Sequence, residues 1–182
     1  MNVIFHVVSG TAVAVTLAKK IPEDKGCIDI EYVVRCVLAF LIGIVVHGIL
    51  DITPHQYPFR TRIDILISTL FFIVSIMLIR PKFIPLFGAA FLGSILPDLV
   101  DLGPQIFNQF FETSFPVLKF KIFPWHRAEY SGSIYDNSRT ELSYTFHIML
   151  VFLSSALILL GRNVLRIQKK IAKCPTNRCS KR

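Results

Sequence analysis

The apolar residues of this chain come in five long blocks separated by short polar stretches. The blocks are Val3–Ala18, Val33–Ile52, Ile65–Ile79, Phe83–Leu99 and Tyr144–Leu160. A helix that crosses a bilayer needs about 20 mainly apolar residues, and polar or snorkelling flanks can lengthen the shorter blocks. The pattern therefore predicts an all-α, polytopic integral membrane protein with about five transmembrane helices.

Composition supports the same class of protein. Hydrophobic residues make up 53% of the chain and charged residues only 18%, and the mean hydropathy is +0.56. Soluble domains carry about 25% charged residues, so the apolar blocks are not simply a rich soluble core. We expect residues 1–163 to form a single transmembrane helical domain, followed by a basic cytoplasmic tail over residues 164–182.

The positions of the basic residues predict the orientation. If the N-terminus is outside, 14 of the 20 Lys and Arg residues fall on the inside and six on the outside. The positive-inside rule thus selects an outer N-terminus and a cytoplasmic C-terminus. The net charge of +8 reflects a cluster beyond the last apolar block. Such a cluster is typical of a cytoplasmic end beside anionic lipid, so we expect no binding to nucleic acid.

The segment between Pro104 and Trp125 is neither a span nor an ordinary loop. It is rich in aromatic residues, and Lys119 and Lys121 interrupt it. It is too polar to cross the membrane and too apolar for a free loop. We expect residues 104–125 to lie on the outer leaflet with the lysines reaching lipid phosphates.

The stretch from Val46 to His55 is the first sign of a chemical site. On a helix, His47 and Asp51 lie four residues apart on one face, and His55 follows after a proline. The predicted orientation also brings His6, His126 and His147 to the outer side. Ionisable residues in a membrane domain are expensive, and a cluster of them indicates function.

Carboxylates are expected at the same end of the bundle. Asp98 and Asp101 follow Pro97 at the end of the fourth apolar block, and Glu129 follows His126. Imidazole and carboxylate groups together are ligands for a divalent metal, with zinc the first choice. Taken alone, Asp98 and Asp101 could simply cap the end of their helix in the headgroup layer, and Glu129 could belong to an ordinary polar loop.

We rank the candidate residues by how strongly the pattern supports them. The first metal ligands are His47, Asp51, Asp98 and His147, followed by His6, Asp101 and His126, and then by His55 and Glu129. Asp101 or Glu129 would act as general base, and Arg127 would bind a phosphoryl oxygen. The metal would lower the pKa of a bound water and polarise the bond under attack.

Four short motifs resemble those of the membrane-bound metal-dependent hydrolase family, which is distantly similar to zinc-dependent phospholipases C. They are His6 with Gly10, the stretch from His47 to Asp51, Leu96-Pro97-Asp98 with Asp101, and His126-Arg127. Three features differ from the family pattern: the aspartates are three residues apart, Ser131 stands where a second histidine is expected, and the His47 helix precedes the Pro97-Asp98 motif instead of following it. The resemblance implies a metal-dependent hydrolase.

These observations predict an integral membrane hydrolase with a divalent-metal site at the outer interface. Its substrate would be a lipid or a lipid-linked phosphoester, and its location the inner membrane of a prokaryotic cell. Two alternatives stay open. A metal-binding transporter would need polar groups that continue to the cytoplasmic side, where the helices are nearly all apolar. A non-catalytic scaffold would use the histidines only for hydrogen bonds between helices.

Overall fold

The chain folds into a bundle of apolar helices. The computed structural model describes residues 1–18, 30–136 and 140–161. Its helices are α1 (Val3–Ala18), α2 (Ile30–Ile52), α3 (Thr61–Leu78), α4 (Ile84–Asp101), α5 (Gly103–Phe111) and α6 (Thr140–Leu160), with short 3-10 turns at Pro81–Phe83 and Pro124–His126. The described residues include no β-strand, so the predicted all-α class is confirmed.

Four of these helices are long and apolar enough to cross a membrane. They are α2, α3, α6 and α4 together with its preceding 3-10 turn. Helix α1 is also apolar but shorter, with 16 residues. The outward surfaces are apolar as well, since Leu66 of α3 is 68% exposed and Phe152 of α6 is 75% exposed. The prediction of a polytopic membrane bundle is therefore confirmed.

The predicted blocks match the helices at their apolar centres but begin too late in three cases. Helices α2, α3 and α6 begin three or four residues earlier and include Glu31, Asp64 and Glu141 in their first turns. Acidic side chains there interact favourably with the helix dipole. The apolar pattern therefore locates the membrane-embedded part of a helix, and the helix continues into its polar flank.

Helix α5 was not predicted as a helix. It begins beside Pro104, a residue suited to the first turn of a helix. It ends where Glu112 adopts a left-handed conformation with φ of 51°. Phe107 and Phe111 are 44% and 63% exposed on its surface. The predicted interfacial segment of residues 104–125 thus contains a short helix followed by an extended return.

Small residues bring α1, α2 and α4 close together. A Cβ on Gly93 of α4 would collide with the backbone oxygen of Phe40 on α2. A Cβ on Gly10 of α1 would lie 2.7 Å from Ser94 Oγ. Close backbone approach through small residues is the usual way in which helices associate within a membrane. It places the ends of α2 and α4 side by side with the start of α1.

All five histidines lie at this end of the bundle, as predicted. The other end is filled by an apolar cluster that includes Ala14, Ala39, Phe83, Leu86 and Phe87. Which side of the membrane the histidine end faces stays the prediction from charge. Part of that charge count lies outside the described residues: Lys19, Lys20, Lys25, Arg139 and the basic tail over 164–182.

Candidate metal centre

Four side chains from three parts of the chain meet at the histidine end of the bundle. His47 and Asp51 lie one turn apart on α2, Asp98 lies in the last turn of α4, and His126 ends the 3-10 turn after the long loop. Each offers one ligand atom, and all four atoms lie within 4.8 Å of one another. We refer to these four residues as the four-ligand group.

The spacing of these atoms resembles that of ligands around one metal ion. His47 Nε2 lies 3.3 Å from His126 Nε2, and each of these nitrogens lies 3.1 Å from Asp51 Oδ2. Asp98 Oδ1 lies 3.3 Å from His126 Nε2 and 3.7 Å from His47 Nε2. Zinc bonds of about 2.0–2.1 Å in a tetrahedron place the ligand atoms about 3.3–3.4 Å apart. The four residues could therefore hold a metal ion.

Neighbouring hydrogen bonds fix both imidazoles in the tautomer that a metal requires. His47 Nδ1–H donates to the backbone oxygen of Ser94 at 2.7 Å. His126 Nδ1–H donates to Asp101 Oδ2 at 2.8 Å. Because a neutral imidazole carries one proton, each Nε2 then presents its lone pair to the group. Partners of this kind orient the histidines of metal sites and raise their basicity.

Asp101 is itself held by the loop that it orders. Its Oδ1 accepts a hydrogen bond from Ile122 N–H at 2.8 Å, and its Oδ2 accepts one from Phe123 N–H at 3.0 Å. Lys121 Nζ donates to the Asp101 backbone oxygen at 2.7 Å. The carboxylate thus connects α4 to the turn that carries His126. It is placed to orient that imidazole, whereas the sequence favoured a metal ligand or a general base.

His6 completes the inner wall of the site. Its ring stacks on that of His47 with centroids 3.9 Å apart. It is fully buried, and neither ring nitrogen has a hydrogen bond within the described part of the chain. Its Nε2 lies 3.3 Å from Asp51 Oδ1, the atom that the Met1 ammonium contacts at 2.7 Å. His6 therefore faces the Asp51 carboxylate through Nε2 and borders the four-ligand group.

The carboxylates of the site favour a positive charge at the four-ligand group. Burial alone lowers the pKa of His126, but contacts with Asp51, Asp98 and Asp101 outweigh it and raise the pKa to about 10. In the metal-free protein at neutral pH, His126 is therefore an imidazolium that partly neutralises three carboxylates. A divalent cation would supply that positive charge instead.

Trp125 covers the group from the loop side. Its ring lies 6.2 Å from that of His47 between centroids and packs directly over Gly48 of α2. A Cβ on Gly48 would lie 2.8 Å from Trp125 Cε3. Glycine at this position therefore allows the indole to settle against α2 and brings the adjacent His126 into reach.

A cavity of about 360 Å³ opens beside the four-ligand group. Asp51, Asp98 and His126 form one wall. The hydroxyl groups on its lining belong to Tyr57, Thr61, Ser131, Ser133 and Tyr135. A ligand in this cavity would meet the carboxylate and imidazole groups on one side and hydrogen-bonding hydroxyls on the other.

His55 contacts the hydroxyl groups of this cavity and is not part of the four-ligand group. Its Nδ1–H donates to the backbone oxygen of Thr53 at 2.8 Å, and its Nε2 lies 3.2 Å from both Tyr57 Oη and Ser133 Oγ. Burial, together with the Met1 ammonium, lowers the pKa of His55 to about 4. His55 is therefore neutral at pH 7, and its Nε2 accepts a hydrogen bond from this pair of hydroxyl groups, which also bond to each other at 2.8 Å.

Besides His6, Asp101 and His55, three more predicted site residues lie outside the four-ligand group. His147 faces away on α6, where its ring lies 4.4 Å from that of Phe5 and its Nδ1 lies 3.3 Å from Ser143 Oγ. Arg127 and Glu129 are exposed, and Arg127 donates to the Lys121 backbone oxygen at 3.3–3.4 Å. Both residues come after the 3-10 turn that ends at His126. Their side chains lie on the outer surface, whereas that of His126 points inward.

Sequence reasoning missed two contributions to the site. The Ser94 backbone oxygen orients His47, but a main-chain acceptor leaves no mark in a side-chain pattern. Tyr57 and Ser133 join His55 only because the loop at Gly132 pairs with the end of α2, where Gly132 N–H donates to the Asp51 backbone oxygen at 2.8 Å. The Ser131-Gly132-Ser133 sequence was the available signal for this turn.

Comparisons with known proteins add nothing to this geometry. No family model, curated protein or solved structure matches the chain significantly. The function of the chain must therefore be inferred from the arrangement of its own residues.

Proposed function

We propose that this chain is an integral membrane metal-dependent hydrolase that acts on a lipid or lipid-linked phosphoester. The observation that carries this proposal is the four-ligand group: two imidazole nitrogens and two carboxylate oxygens within 4.8 Å, at the end of a membrane bundle and beside an open cavity. The resemblance of its motifs to the membrane-bound metal-dependent hydrolases points the same way.

Two imidazoles and two carboxylates favour zinc over magnesium or calcium, which prefer oxygen ligands alone. His47, Asp51, Asp98 and His126 would hold the ion, and His6 lies near enough to Asp51 to support it. The ion would supply Lewis-acid chemistry to the bond under attack. Asp101 acts on His126 as a positioning residue, and Arg127 and Glu129 stay at the outer rim.

Catalysis requires access to the ion, and Asp98 is the ligand best placed to give it. Its side chain is 14% exposed, whereas those of His47 and Asp51 are 0% and 6% exposed. Asp98 also borders the cavity. A substrate in the cavity would therefore lie on the Asp98 side of the four-ligand group.

Position in the membrane favours a lipid substrate. The group lies where α2 and α4 end, next to the short helix α5 with its exposed phenylalanines. A bond at headgroup depth, such as a phosphoester, would lie level with the metal. From the loop charges we propose in addition that this end faces away from the cytoplasm, in the inner membrane of a prokaryotic cell.

Metal content is the first test. Detergent-purified protein should bind close to one zinc per chain, as expected of a single four-ligand site. His47→Ala and His126→Ala should lose it, and His147→Ala should keep it as a matched histidine control. The zinc-loaded protein should then release a phosphorylated headgroup from phospholipid in mixed micelles. A wild-type protein that stays metal-free after incubation with zinc and manganese would overturn the proposal.

A second candidate is a membrane scaffold in which the metal is structural. The observation that favours it is that four protein ligands fill a tetrahedral coordination sphere, as structural zinc sites do. In that case chelation would unfold the bundle, and no phosphoester would be cleaved. Retained helix content after chelation, together with loss of hydrolysis, would instead support the enzyme.

A further inference from the structure

The cavity beside the four-ligand group has a second wall, which the proposed metal chemistry does not use. Three hydroxyl side chains form it, and they contact His55 directly or through one another: Tyr57, Ser131 and Ser133. All three line the cavity. The backbone holds them beside His55, whose N–H donates to the Gly132 oxygen at 2.9 Å. We refer to the three side chains as the hydroxyl wall.

The tautomer of His55 is set by a group that can only accept a hydrogen bond. His55 Nδ1 lies 2.8 Å from the backbone oxygen of Thr53, and a carbonyl oxygen has no proton to donate. Nδ1 therefore carries the ring proton, and Nε2 keeps a lone pair in the neutral ring. The hydrogen bonds of the hydroxyl wall end at this lone pair.

The protons of the hydroxyl wall are all used within it. One hydrogen bond reaches His55 Nε2 from Tyr57 or Ser133 at 3.2 Å, one joins these two hydroxyls at 2.8 Å, and one joins Ser131 to Ser133 at 2.8 Å. Each hydroxyl has a single proton. Whichever of Tyr57 and Ser133 donates to Nε2, the other donates to it, and Ser131 donates to Ser133. A proton turned toward the cavity would leave one of these three contacts without any proton.

The hydroxyl wall therefore offers lone pairs to the cavity and keeps its protons inside. The Tyr57 oxygen retains an unused lone pair in both arrangements. Ser131 Oγ retains one as well, since a hydroxyl oxygen has two and Ser133 N–H occupies one of them at 3.3 Å. A ligand that binds to this wall must bring its own hydrogen-bond donors.

The charge of the cavity favours a donor that is also a cation. Three carboxylates line it, those of Asp51, Asp64 and Asp98, and the described residues of its lining include no lysine or arginine. At most two positive groups of the lining balance them: the Met1 ammonium, which contacts Asp51 at 2.7 Å, and the His126 ring. The negative charge that remains attracts a cationic ligand and repels an anionic one.

Aromatic rings lie at the mouth of the cavity. The ring of Tyr135 stacks on that of Tyr57 with centroids 5.8 Å apart, and Tyr135 is 81% exposed. Ring faces attract any ammonium group within about 6 Å, including a quaternary one that has no N–H. The lone pairs of the hydroxyl wall require N–H groups. The two features thus make different demands on a ligand, which an experiment can separate.

We propose that the hydroxyl wall binds a primary ammonium group, whose N–H groups donate to Tyr57 Oη and Ser131 Oγ and whose charge is balanced by the carboxylates of the cavity. A volume of about 360 Å³ lies near the lower end of the usual range for small-ligand sites. An aminoethyl headgroup of a phospholipid and a free amine such as ethanolamine share this chemistry. That the ammonium belongs to the lipid substrate, with its phosphate at the four-ligand group, rests on the proposed function.

A series of methylated headgroups tests the assignment. Native mass spectrometry of the full chain, kept metal-free with a chelator, would measure the binding of phosphatidylethanolamine and its mono-, di- and trimethylated forms with identical acyl chains. Along this series the N–H donors fall from three to none, whereas the positive charge stays. We expect affinity to fall about ten-fold from the first lipid to the last, as loss of hydrogen bonds from a charged group implies. Anionic phosphatidylglycerol should bind more weakly than phosphatidylethanolamine.

Three variants assign the preference to the hydroxyl wall. Ser131→Ala and Tyr57→Phe each remove one acceptor and should reduce the ten-fold preference to about three-fold or less. Tyr144→Phe is the matched control, because it removes a tyrosine hydroxyl that does not line this cavity, and it should keep the full preference. If Tyr57→Phe fails to fold, Ser131→Ala decides, since it leaves both contacts of His55 Nε2 in place.

Free ethanolamine separates the two sources of the ammonium group. Displacement of bound phosphatidylethanolamine by millimolar ethanolamine would identify a soluble amine as the ligand. Retention of the lipid would identify the headgroup. The ammonium site is supported in both cases, provided that the methylated forms bind more weakly.

Other results would overturn the assignment. Tighter binding of the trimethylated lipid would mean that the aromatic rings select the ligand, and equal binding along the series or tightest binding of phosphatidylglycerol would exclude an ammonium site. Zinc binding and lipid cleavage without any headgroup preference would overturn this inference alone. A preference for phosphatidylethanolamine in a protein that binds no zinc and cleaves no lipid would instead sink the proposed function alone.

Discussion

The Nε2 atoms of His47 and His126 lie 3.3 Å apart, although 79 residues separate them in the chain. Each ring donates its other proton to an acceptor outside the pair, so two lone pairs would face each other at this distance. A positive charge at this point removes that repulsion. In the metal-free protein it is a proton on His126, and in the proposed holoprotein it is the metal.

Replacing Asp101 should weaken metal binding without removing a ligand. In Asp101→Asn the loop keeps an acceptor, but His126 loses the carboxylate that orients it. We expect the zinc dissociation constant to rise by about 10- to 100-fold, as is usual for such partners. Competition with a fluorescent zinc chelator would measure it.

Asp64→Asn is the matched control for this change. Asp64 is also buried and also accepts two backbone hydrogen bonds, from Val3 N–H at 2.7 Å and Ile4 N–H at 3.0 Å. The Asp64→Asn substitution should lower the free energy of unfolding by about 1 kcal/mol, because a helix cap is lost. It should leave zinc affinity unchanged. Equal loss of affinity in both variants would contradict the role given to Asp101.

Gly48→Ala should also impair the site, through packing alone. The added methyl group would collide with Trp125 and push the indole and the adjacent His126 away from α2. We expect weaker zinc binding, by about ten-fold, and quenching or a shift of the single tryptophan's fluorescence, as overpacking by 1–3 kcal/mol implies. Gly88→Ala is the control, since a Cβ there meets nothing within 4 Å.

Zinc should stabilise the folded protein, because only the fold brings its ligands together. At a free concentration about 100 times the dissociation constant, the gain is about 2.7 kcal/mol. Thermal unfolding in detergent, with and without zinc, should show a higher midpoint in the wild type and no shift in His47→Ala. A similar shift in both proteins would mean that zinc binds elsewhere.

The metal-free protein should lose stability as the pH rises from about 6.5 to about 10. The pKa of His126 is raised to about 10 in the fold, against about 6.5 in an unfolded chain. Its contribution is therefore fully present below pH 6.5 and is lost as the pH rises through the folded pKa. Unfolding in the presence of a chelator would measure this slope. His126→Gln, which does not titrate, should show a shallower one.

Sequence reasoning found the parts of the site that a local pattern encodes. The spacing of His47 and Asp51 required only that α2 be a helix, and Asp98 followed from the end of α4. His126 was ranked lower, because nothing local indicates that a loop residue returns to α2. His147 was ranked among the first ligands, and the structure puts its ring beside Phe5, outside the four-ligand group. Its position at the correct end of α6 was predictable, but the rotation of that helix about its own axis was not.

The same limit applies to the fold. Long apolar blocks predict membrane helices reliably, since the bilayer imposes one requirement on all of them. Helix α5 depends instead on local details, including Pro104 at its start and Asn108, whose side chain accepts a hydrogen bond from Phe115 N–H at 2.8 Å in the returning loop. Such details do not stand out in an aromatic-rich segment.

An apolar groove between α1 and α6 is lined by Ile148 and Phe152, which are exposed on the side of the bundle. It opens sideways rather than at the end of the bundle. A ligand that enters there arrives by diffusion in two dimensions, and its effective concentration is its mole fraction among the surrounding lipids. Diluting the target lipid with an inert one at constant total lipid should therefore slow occupancy, whereas adding more bilayer of the same composition should not. For such a protein, the composition of the membrane replaces the bulk concentration as the variable that sets saturation.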